Sequence, residues 1–168
     1  MQKTEIRKAK IGDENTLAYI QAESWKRAFA EILSKEDLEK YTDTDRIRSM
    51  YDNVLKSGIT HGLVMSVGGE PHCIAFWSKS REEKMPEYAE LICIHSLSEN
   101  WGKGYGTVMM NHIFSDVKNA GFDKIMLWVF EKNERARKFY EKCGFSLTES
   151  KKIFCDAVEV MYIKEFIS

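Results

Sequence analysis

The sequence predicts a mixed α/β fold with a partly antiparallel sheet. Apolar and amphipathic segments occur in the order β-α-α-α-β-β-β-α-β-α-β-β. Strands follow one another in the middle of the chain and helices interrupt them twice, which argues against a regularly alternating doubly wound sheet. A glycine-rich stretch, "ENWGKGYGTVMM" at residues 99–110, stands at one strand-to-helix junction and marks the candidate functional region.

One strand and three helices are predicted before the first hairpin. "TEIRKA" has the pattern of a short strand, and Asp13 is placed to cap a helix that reaches about Phe29. A short helix is expected around "LEKY". A further helix runs from Asp43 or Asp45 to Leu55.

The rest of the chain supplies the other strands and two more helices. "THGLVMSV" and "HCIAFWSKS" are predicted strands, joined by the hairpin signal "GGEP". "REEKMPEY" is predicted as a loop and "AELICIHSL" as the next strand. A helix then reaches about Ala120, and "DKIMLWVF" is apolar enough for a strand covered on both faces. Asn133 can cap the helix "ERARKFYEKC", and "FSLTESKKIF" and "AVEVMYIKEF" are the last strands.

Composition limits the class of protein. The chain has 168 residues, 43% of them hydrophobic, so we expect residues 1–168 to form a single domain. Its 25 basic and 26 acidic residues nearly cancel, which gives no general attraction to nucleic acid or to anionic membranes. No apolar stretch approaches the roughly 20 residues that span a bilayer, and the polar N-terminus lacks a signal-peptide core. We therefore expect a cytoplasmic protein that binds neither nucleic acid nor membrane.

Cysteine and histidine positions predict no metal site. The cysteines are widely spaced without a C-x-x-C pair, which favours reduced thiols over a disulfide framework. The histidines have no metal-ligand spacing with each other or with the cysteines. Aromatic residues of the helical region have a helical spacing that favours core packing over an aromatic lining for an amine. They are Trp25, Phe29, Tyr41 and Tyr51.

Three glycines at alternate positions suggest an anion site. Gly102, Gly104 and Gly106 precede a helix, whose N-terminus carries unpaired N–H groups and a partial positive charge. Glycines permit positive φ angles and let a phosphate approach the backbone, so with Thr107 they form a plausible pyrophosphate cradle. Lys103 adds a cation nearby. The alternative is a tight turn with close helix packing.

Two familiar phosphate motifs do not fit this stretch. The nucleotide P-loop requires Lys followed by Ser or Thr after the last glycine, which is absent here. The dinucleotide fingerprint is G-x-G-x-x-G, whereas this chain has G-x-G-x-G. Glu131 could serve as the acidic residue of a Rossmann domain, but too few residues follow it for a second mononucleotide half.

Two motifs resemble the GNAT acetyltransferase superfamily. "WGKGYG" resembles the family's acyl-CoA motif Q/R-x-x-G-x-G/A, and "ELICIHSLSEN" resembles its fourth strand and the following turn. "NERARKFYEKCGF" resembles the second hallmark, an Asn followed by a helix that ends in F-Y-x-x-x-G-F. Together they cover Glu90 to Phe145. Trp101 stands where Gln or Arg is usual, and Ser98 stands where a proline is common.

The resemblance implies a fold and a co-substrate site. Members have a mostly antiparallel sheet whose fourth and fifth strands splay apart, flanked by helices, and they use acetyl-CoA. Backbone groups of the fourth strand would pair with the pantetheine arm, the glycine turn would bind the pyrophosphate, and Asn133 would contact the cofactor near the pantetheine. The strand residues are Ile94, His95 and Ser96, and the turn residues are Gly102, Lys103, Gly104, Tyr105, Gly106 and Thr107.

The resemblance also implies a reaction. An acetyl group would pass from acetyl-CoA to a primary amine by direct attack in a ternary complex. Tyr140 would protonate the departing thiolate. Glu90 would act as the base, against the alternative of a strand-end glutamate that faces solvent. Tyr140 has the alternative of packing its helix on the sheet.

Two other classes of function are compatible with the sequence. A non-catalytic acyl-CoA-binding or sensor module would keep the same fold, and a nucleotide-binding protein is the more distant alternative. The sequence does not identify the amine, and family members are often homodimers.

Overall fold

The computed structural model describes residues 1–167, in which seven strands form one sheet with helices on both faces. The strands are β1 Thr4–Lys8, β2 His61–Val67, β3 Glu70–Lys79, β4 Ala89–Ser96, β5 Lys124–Phe130, β6 Ser146–Phe154 and β7 Ala157–Glu165. The helices are α1 Glu14–Ala28, α2 Lys35–Tyr41, α3 Thr44–Ser57, α4 Tyr105–Asn119 and α5 Glu134–Lys142. A 3₁₀ turn, Ser98–Asn100, connects β4 to the glycine-rich stretch.

The sheet has the strand order β1-β2-β3-β4-β5-β7-β6. Neighbouring strands run antiparallel except β4 and β5, which are parallel. The predicted mixed α/β class with a mostly antiparallel sheet is confirmed, and so is the predicted order of elements. Element ends shift by one or two residues: β3 begins at Glu70 because the turn needs only Gly68 and Gly69, both at positive φ.

Helix starts follow the predicted capping residues, with one correction. The Asp43 side chain accepts a hydrogen bond from the backbone N–H three residues on at 3.0 Å, and Asn133 does the same at 3.3 Å. Asp13 occupies the N-cap position of α1, but its side chain does not cap the helix. Instead its carboxylate accepts from the Arg7 guanidinium at 2.8 and 2.9 Å and from the Lys10 backbone at 2.8 Å. The nearby guanidinium is the stronger donor and takes the carboxylate.

The sheet carries a separate apolar layer on each face. In the layer between the sheet and α4 and α5, the helices contribute Met109, Ile113 and Tyr140. In the layer between the sheet and α1 and α3, the helices contribute Leu17 and Ile47. Neighbouring residues of a strand point to opposite faces, so each strand contributes to both layers.

The parallel pair β4 and β5 separates after three residue pairs. Pairing runs from Ala89 opposite Ile125 to Leu91 opposite Leu127, whereas both strands continue beyond that point. Just past Leu91 the register of β4 against β3 shifts, which leaves Ile92 as an extra residue. Such a bulge bends a strand. The carboxyl-terminal half of β4 therefore follows β3 and leaves a V-shaped gap beside β5.

Helix lengths and hydropathy bear on membrane association. Among the described residues no helix is both long and apolar enough to cross a bilayer.

Candidate active site

A cleft of about 860 Å³ lies beside the carboxyl-terminal half of β4, where β4 no longer pairs with β5. Its volume lies within the range of ligand pockets. The end of β4, the glycine turn and one face of α5 form its walls. It is lined by Ser24, His72, Cys73, Ile94, Ser96, Asn100, Trp101, Gly102, Gly104, Tyr105, Gly106, Thr107, Arg135, Ala136, Lys138, Phe139, Tyr140 and Lys142.

The cleft brings together most of the residues that the sequence analysis selected. Eight of those twelve residues line it: Tyr140, two of the three β4 residues and five of the six residues of the glycine turn. Four do not: Glu90, His95, Lys103 and Asn133. The side chain of Lys103 donates to the Asn100 side chain at 3.2 Å. The Asn133 side-chain oxygen caps α5, as described above.

The three glycines are required for different structural reasons. Gly102 and Gly104 have φ angles of +76° and +91°, which residues other than glycine rarely adopt. Gly106 has no positive φ, but a Cβ atom there would lie 3.1 Å from the Phe139 ring of α5. Tight turning and close helix packing, the alternative from the sequence, are therefore both present. They also leave the backbone of the turn open to the cleft.

The N-terminus of α4 is chemically unlike those of the other helices. Gly104 is its N-cap, and no side chain caps it within the described residues. The other four helices each have an acidic residue in the first turn, whereas α4 has none. The first backbone N–H groups of α4 thus carry partial positive charge that no carboxylate offsets, which suits a phosphate.

Trp101 joins the two sides of the cleft. Its indole N–H donates to the Ser96 carbonyl oxygen of β4 at 3.1 Å. The guanidinium of Arg135 from α5 lies 3.5 Å from the centre of the indole ring, a cation–π contact. The residue that departs from the family motif therefore holds a cation of α5 beside the glycine turn.

The side chains of β4 alternate between the cleft and the opposite face. Ile94 and Ser96 line the cleft. His95 lies on the α1 side, where its Nε2 is 3.4 Å from the Trp25 indole nitrogen. Burial lowers the pKa of His95 to about 4, so its ring is neutral at physiological pH. Any pantetheine contact of His95 would therefore come from its backbone.

Tyr140 presents a free hydroxyl to the cleft. The residue is 9% exposed and its ring packs near Phe139 and Phe145. No hydrogen bond joins the hydroxyl to another residue of the 1–167 range, although Tyr51 and Tyr162 are both bonded. Burial raises the pKa of Tyr140 well above its usual value. The phenol is therefore protonated across the physiological range and can donate.

Glu90 lies on the opposite face and is paired. Its neighbours Ala89 and Leu91 belong to the layer under α4 and α5, so the Glu90 side chain points to the other face. Only 2% of the residue is exposed, so the solvent-facing alternative is wrong. Arg81 donates to its carboxylate from the backbone at 3.0 Å and from the guanidinium at 3.1 and 2.7 Å.

The pKa of Glu90 follows from two opposing effects. Burial alone raises it, but the side-chain and backbone hydrogen bonds from Arg81 outweigh burial and hold the pKa below its usual value. A carboxylate stabilised in this way is a weaker base. The geometry therefore favours a structural role, and the role as base stays a prediction.

Aromatic residues cover the side of β4 opposite the cleft. Trp25 contacts Phe29 edge-on, with ring centres 4.9 Å apart, and Tyr41 and Phe154 lie next to them. Tyr51 is instead buried against Phe76. Tyr51 thus has the core-packing role that its spacing favoured. The other rings lie between α1, α2 and the tip of the β6–β7 hairpin, beside the open side of the gap.

Several lining residues were not selected from the sequence. His72 and Asn100 reach the cleft from β3 and the 3₁₀ turn, and only the folded sheet brings them there. Arg135, Lys138 and Lys142 lie within the second motif, and their helical spacing of three and four residues was the available signal. Within residues 1–167 no group of three His, Cys, Asp or Glu side chains could hold a metal ion.

Together, the splayed parallel strands and the uncapped helix beside them define an acyltransferase-type fold and cleft. The chain belongs to the acetyltransferase (GNAT) family, whose family model matches residues 23–145. This confirms the predicted resemblance, and the co-substrate of that family is acetyl-CoA, as expected.

Solved structures of low sequence identity share the whole fold. PaiA N-acetyltransferase from Thermoplasma acidophilum, in complex with coenzyme A, is 21% identical with a TM-score of 0.84, and the match covers 98% of this chain and 99% of that one. YncA from Salmonella typhimurium, a putative acetyltransferase with its cofactor acetyl-CoA, is 17% identical with a TM-score of 0.72 and coverages of 98% and 94%.

Curated relatives match over shorter stretches. N-alpha-acetyltransferase 50 of Danio rerio is 42% identical over 57 residues, which is 33% of this chain and 34% of the relative. Mycothiol acetyltransferase of Corynebacterium aurimucosum is 30% identical over 73 residues, 44% of this chain and 24% of the relative. The matched stretches thus span about a third and a quarter of those two proteins.

Proposed function

We propose that this protein is an N-acetyltransferase that moves an acetyl group from acetyl-CoA to a primary amine by direct attack in a ternary complex. The observation that carries the proposal is the gap between β4 and β5, which opens onto the uncapped N-terminus of α4. A pyrophosphate at that terminus would direct an extended acyl-pantetheine arm along β4.

Each predicted residue receives a role in this scheme. The turn residues Gly102 to Thr107 hold the pyrophosphate through backbone N–H groups. The unpaired edge of β4 at Ile94, His95 and Ser96 holds the pantetheine, and Asn133 contacts it from the start of α5. The fit is supported by the absence of a carboxylate among the described residues that line the cleft. Acetyl-CoA supplies an activated thioester.

The chemistry requires one donor and one acceptor of protons. Tyr140 gives a proton to the leaving sulfur, and backbone N–H groups of β4 stabilise negative charge on the carbonyl oxygen. Burial raises the pKa of Cys73, the cysteine that lines the cleft, so its thiol stays protonated at neutral pH and gives no support to a covalent route. Glu90 is the predicted base, and its contact with Arg81 makes water or an already neutral amine an alternative route for that proton.

The first experiment measures acetyl-CoA binding by calorimetry, with NAD as a control. Saturable binding of acetyl-CoA alone is expected. Gly104→Glu places bulk and negative charge at a φ of +91° in the cradle, so it should abolish binding. Gly58→Glu is the matched control, since that glycine also has positive φ but ends α3. Normal affinity in folded Gly104→Glu would remove the cradle from its proposed place.

Turnover separates the enzyme from a non-catalytic acyl-CoA-binding module. Free thiol released from acetyl-CoA is followed across a library of polyamines, amino acids, aminoglycoside-like amines, peptide N-termini and lysine peptides. Amine-dependent release supports the enzyme. Tight acetyl-CoA binding without release from any amine would favour the sensor module.

A cytoplasmic location and a possible homodimer belong to the same proposal. The balanced charge and widely spaced cysteines support the location. The four cysteines are free thiols here. Fractionation of cells and sedimentation of the purified protein test the two points.

A further inference from the structure

One face of α5 carries cations along the cleft. Arg135, Lys138 and Lys142 all line it, and their spacing of three and four residues places them in one row. Within residues 1–167 none of the three forms an ion pair. Arg137, off this row, is instead bonded to the Tyr162 hydroxyl and the Glu131 carbonyl oxygen.

The row lies beside the phosphate cradle. Phe139 of α5 packs against Gly106 in the first turn of α4, which holds the two helices close together at that point. The described lining of the cleft contains three cations and no Asp or Glu, although the whole chain has a net charge of −1. A surface selected only for solubility would mix both signs. The row therefore indicates an anion.

The cleft holds more positive charge than a pyrophosphate bound at the glycine turn would need. Backbone N–H groups of α4 already suit the pyrophosphate, and Arg135 is held next to the turn by Trp101. Lys138 and Lys142 lie one and two turns further along α5 and have no such partner. Coenzyme A carries a third phosphate, a monoester on the 3′ position of its ribose, with nearly two negative charges at neutral pH.

We propose that Lys138 and Lys142 bind the 3′-phosphate of coenzyme A, so that the protein distinguishes coenzyme A from 3′-dephospho-coenzyme A. The inference rests on the proposed function, since it requires coenzyme A in this cleft. Each ammonium acts as a point charge on an exposed helix face, so the preference weakens as salt rises.

The test is a comparison of two ligands and two proteins by calorimetry at low salt. The unmodified protein should bind coenzyme A about tenfold more tightly than 3′-dephospho-coenzyme A, the effect expected of two exposed ion pairs. The double variant Lys138→Ala with Lys142→Ala should bind both ligands equally within about twofold. Lys118→Ala, which removes a lysine near the far end of α4, should keep the full preference.

Each other outcome has a separate meaning. Equal affinity of the unmodified protein for both ligands would overturn the 3′-phosphate contact and leave the proposed function intact. A preference that survives in the double variant would overturn its assignment to Lys138 and Lys142. Loss of affinity for both ligands to the same extent would also overturn it, because the lysines would then act on the shared part of the molecule. Failure of either ligand to bind would contradict the proposed function itself.

Discussion

Tyr140 is the residue on which the proposed chemistry depends most directly. Its hydroxyl is free and its pKa is raised by burial, so it keeps its proton over the whole working range. Tyr140→Phe removes only the hydroxyl and should lower kcat at least ~100-fold, the usual contribution of a general acid, with acetyl-CoA affinity kept within about twofold. Thiol release with the best amine of the library measures this. Tyr88→Phe, another buried tyrosine, is the control. Unchanged kcat in Tyr140→Phe would rule Tyr140 out as the acid.

The pair of Glu90 and Arg81 allows base and structural roles to be separated. Arg81→Ala removes the guanidinium from a buried carboxylate and leaves it only the backbone N–H donor, so it should cost about 2 kcal/mol of unfolding free energy. Glu90→Gln keeps the shape and part of the hydrogen bonding, so a cost of about 1 kcal/mol is expected, with turnover largely retained. Urea unfolding and thiol release are measured on both variants. A stable Glu90→Gln protein without turnover at neutral pH would restore Glu90 as the base.

Trp101 should contribute to cofactor affinity through Arg135. Trp101→Ala removes both the ring under the guanidinium and the donor to the Ser96 carbonyl oxygen, and should raise the Kd for acetyl-CoA about fivefold, or roughly 1 kcal/mol. Trp101→Phe keeps a ring and loses the donor, so it should recover most of the affinity. Calorimetry measures both. Equal losses in the two variants would assign the effect to the Ser96 hydrogen bond instead.

At the scale of elements, the local sequence pattern predicted the order of the helices and strands. Features that depend on contacts between elements were missed. Glycines, caps and apolar periodicity mark where elements begin and end, which is why their order was correct. The bulge at Ile92 has no mark in the sequence, so the gap was expected only from the family resemblance. The failed cap at Asp13 has a more local origin, since Arg7 lies only six residues earlier and donates to its carboxylate. Glu90 was selected by position, but its partner Arg81 comes from a loop.

The start of α5 combines a cap with a predicted cofactor contact at Asn133. Asn133→Ala removes the cap and should lower the unfolding free energy by about 1 kcal/mol. Asn133→Asp keeps a capping oxygen but loses the amide donor and adds a negative charge, so it should keep stability while weakening acetyl-CoA binding. Urea unfolding and calorimetry on the two variants give the answer. If Asn133→Asp binds acetyl-CoA normally, the residue is a cap only.

At the scale of the whole molecule, charge and burial are arranged asymmetrically. The cleft collects cations in a chain of nearly balanced charge, and the opposite layer buries the carboxylate of Glu90 and partly buries the ring of His95. Buried titratable groups make folding depend on pH, because the folded and unfolded states bind protons differently. The same packing that shapes the site should therefore limit the range of pH in which the protein is stable.

His95 gives the clearest case of this coupling. Burial lowers its folded pKa to about 4, against about 6.5 in an unfolded chain, and burial lowers the pKa of His72 as well. A lowered folded pKa means that the unfolded state binds more protons between those values. Stability from His95 is thus complete above about pH 6.5 and is lost as the pH falls toward 4, by up to about 3 kcal/mol. Urea unfolding between pH 7.5 and 4.5 should show a fall that is clearly smaller in His95→Asn, while His61→Asn, at an exposed site, should follow the unmodified protein. An identical fall in His95→Asn would mean that the ring is hydrated and protonates freely in the folded state.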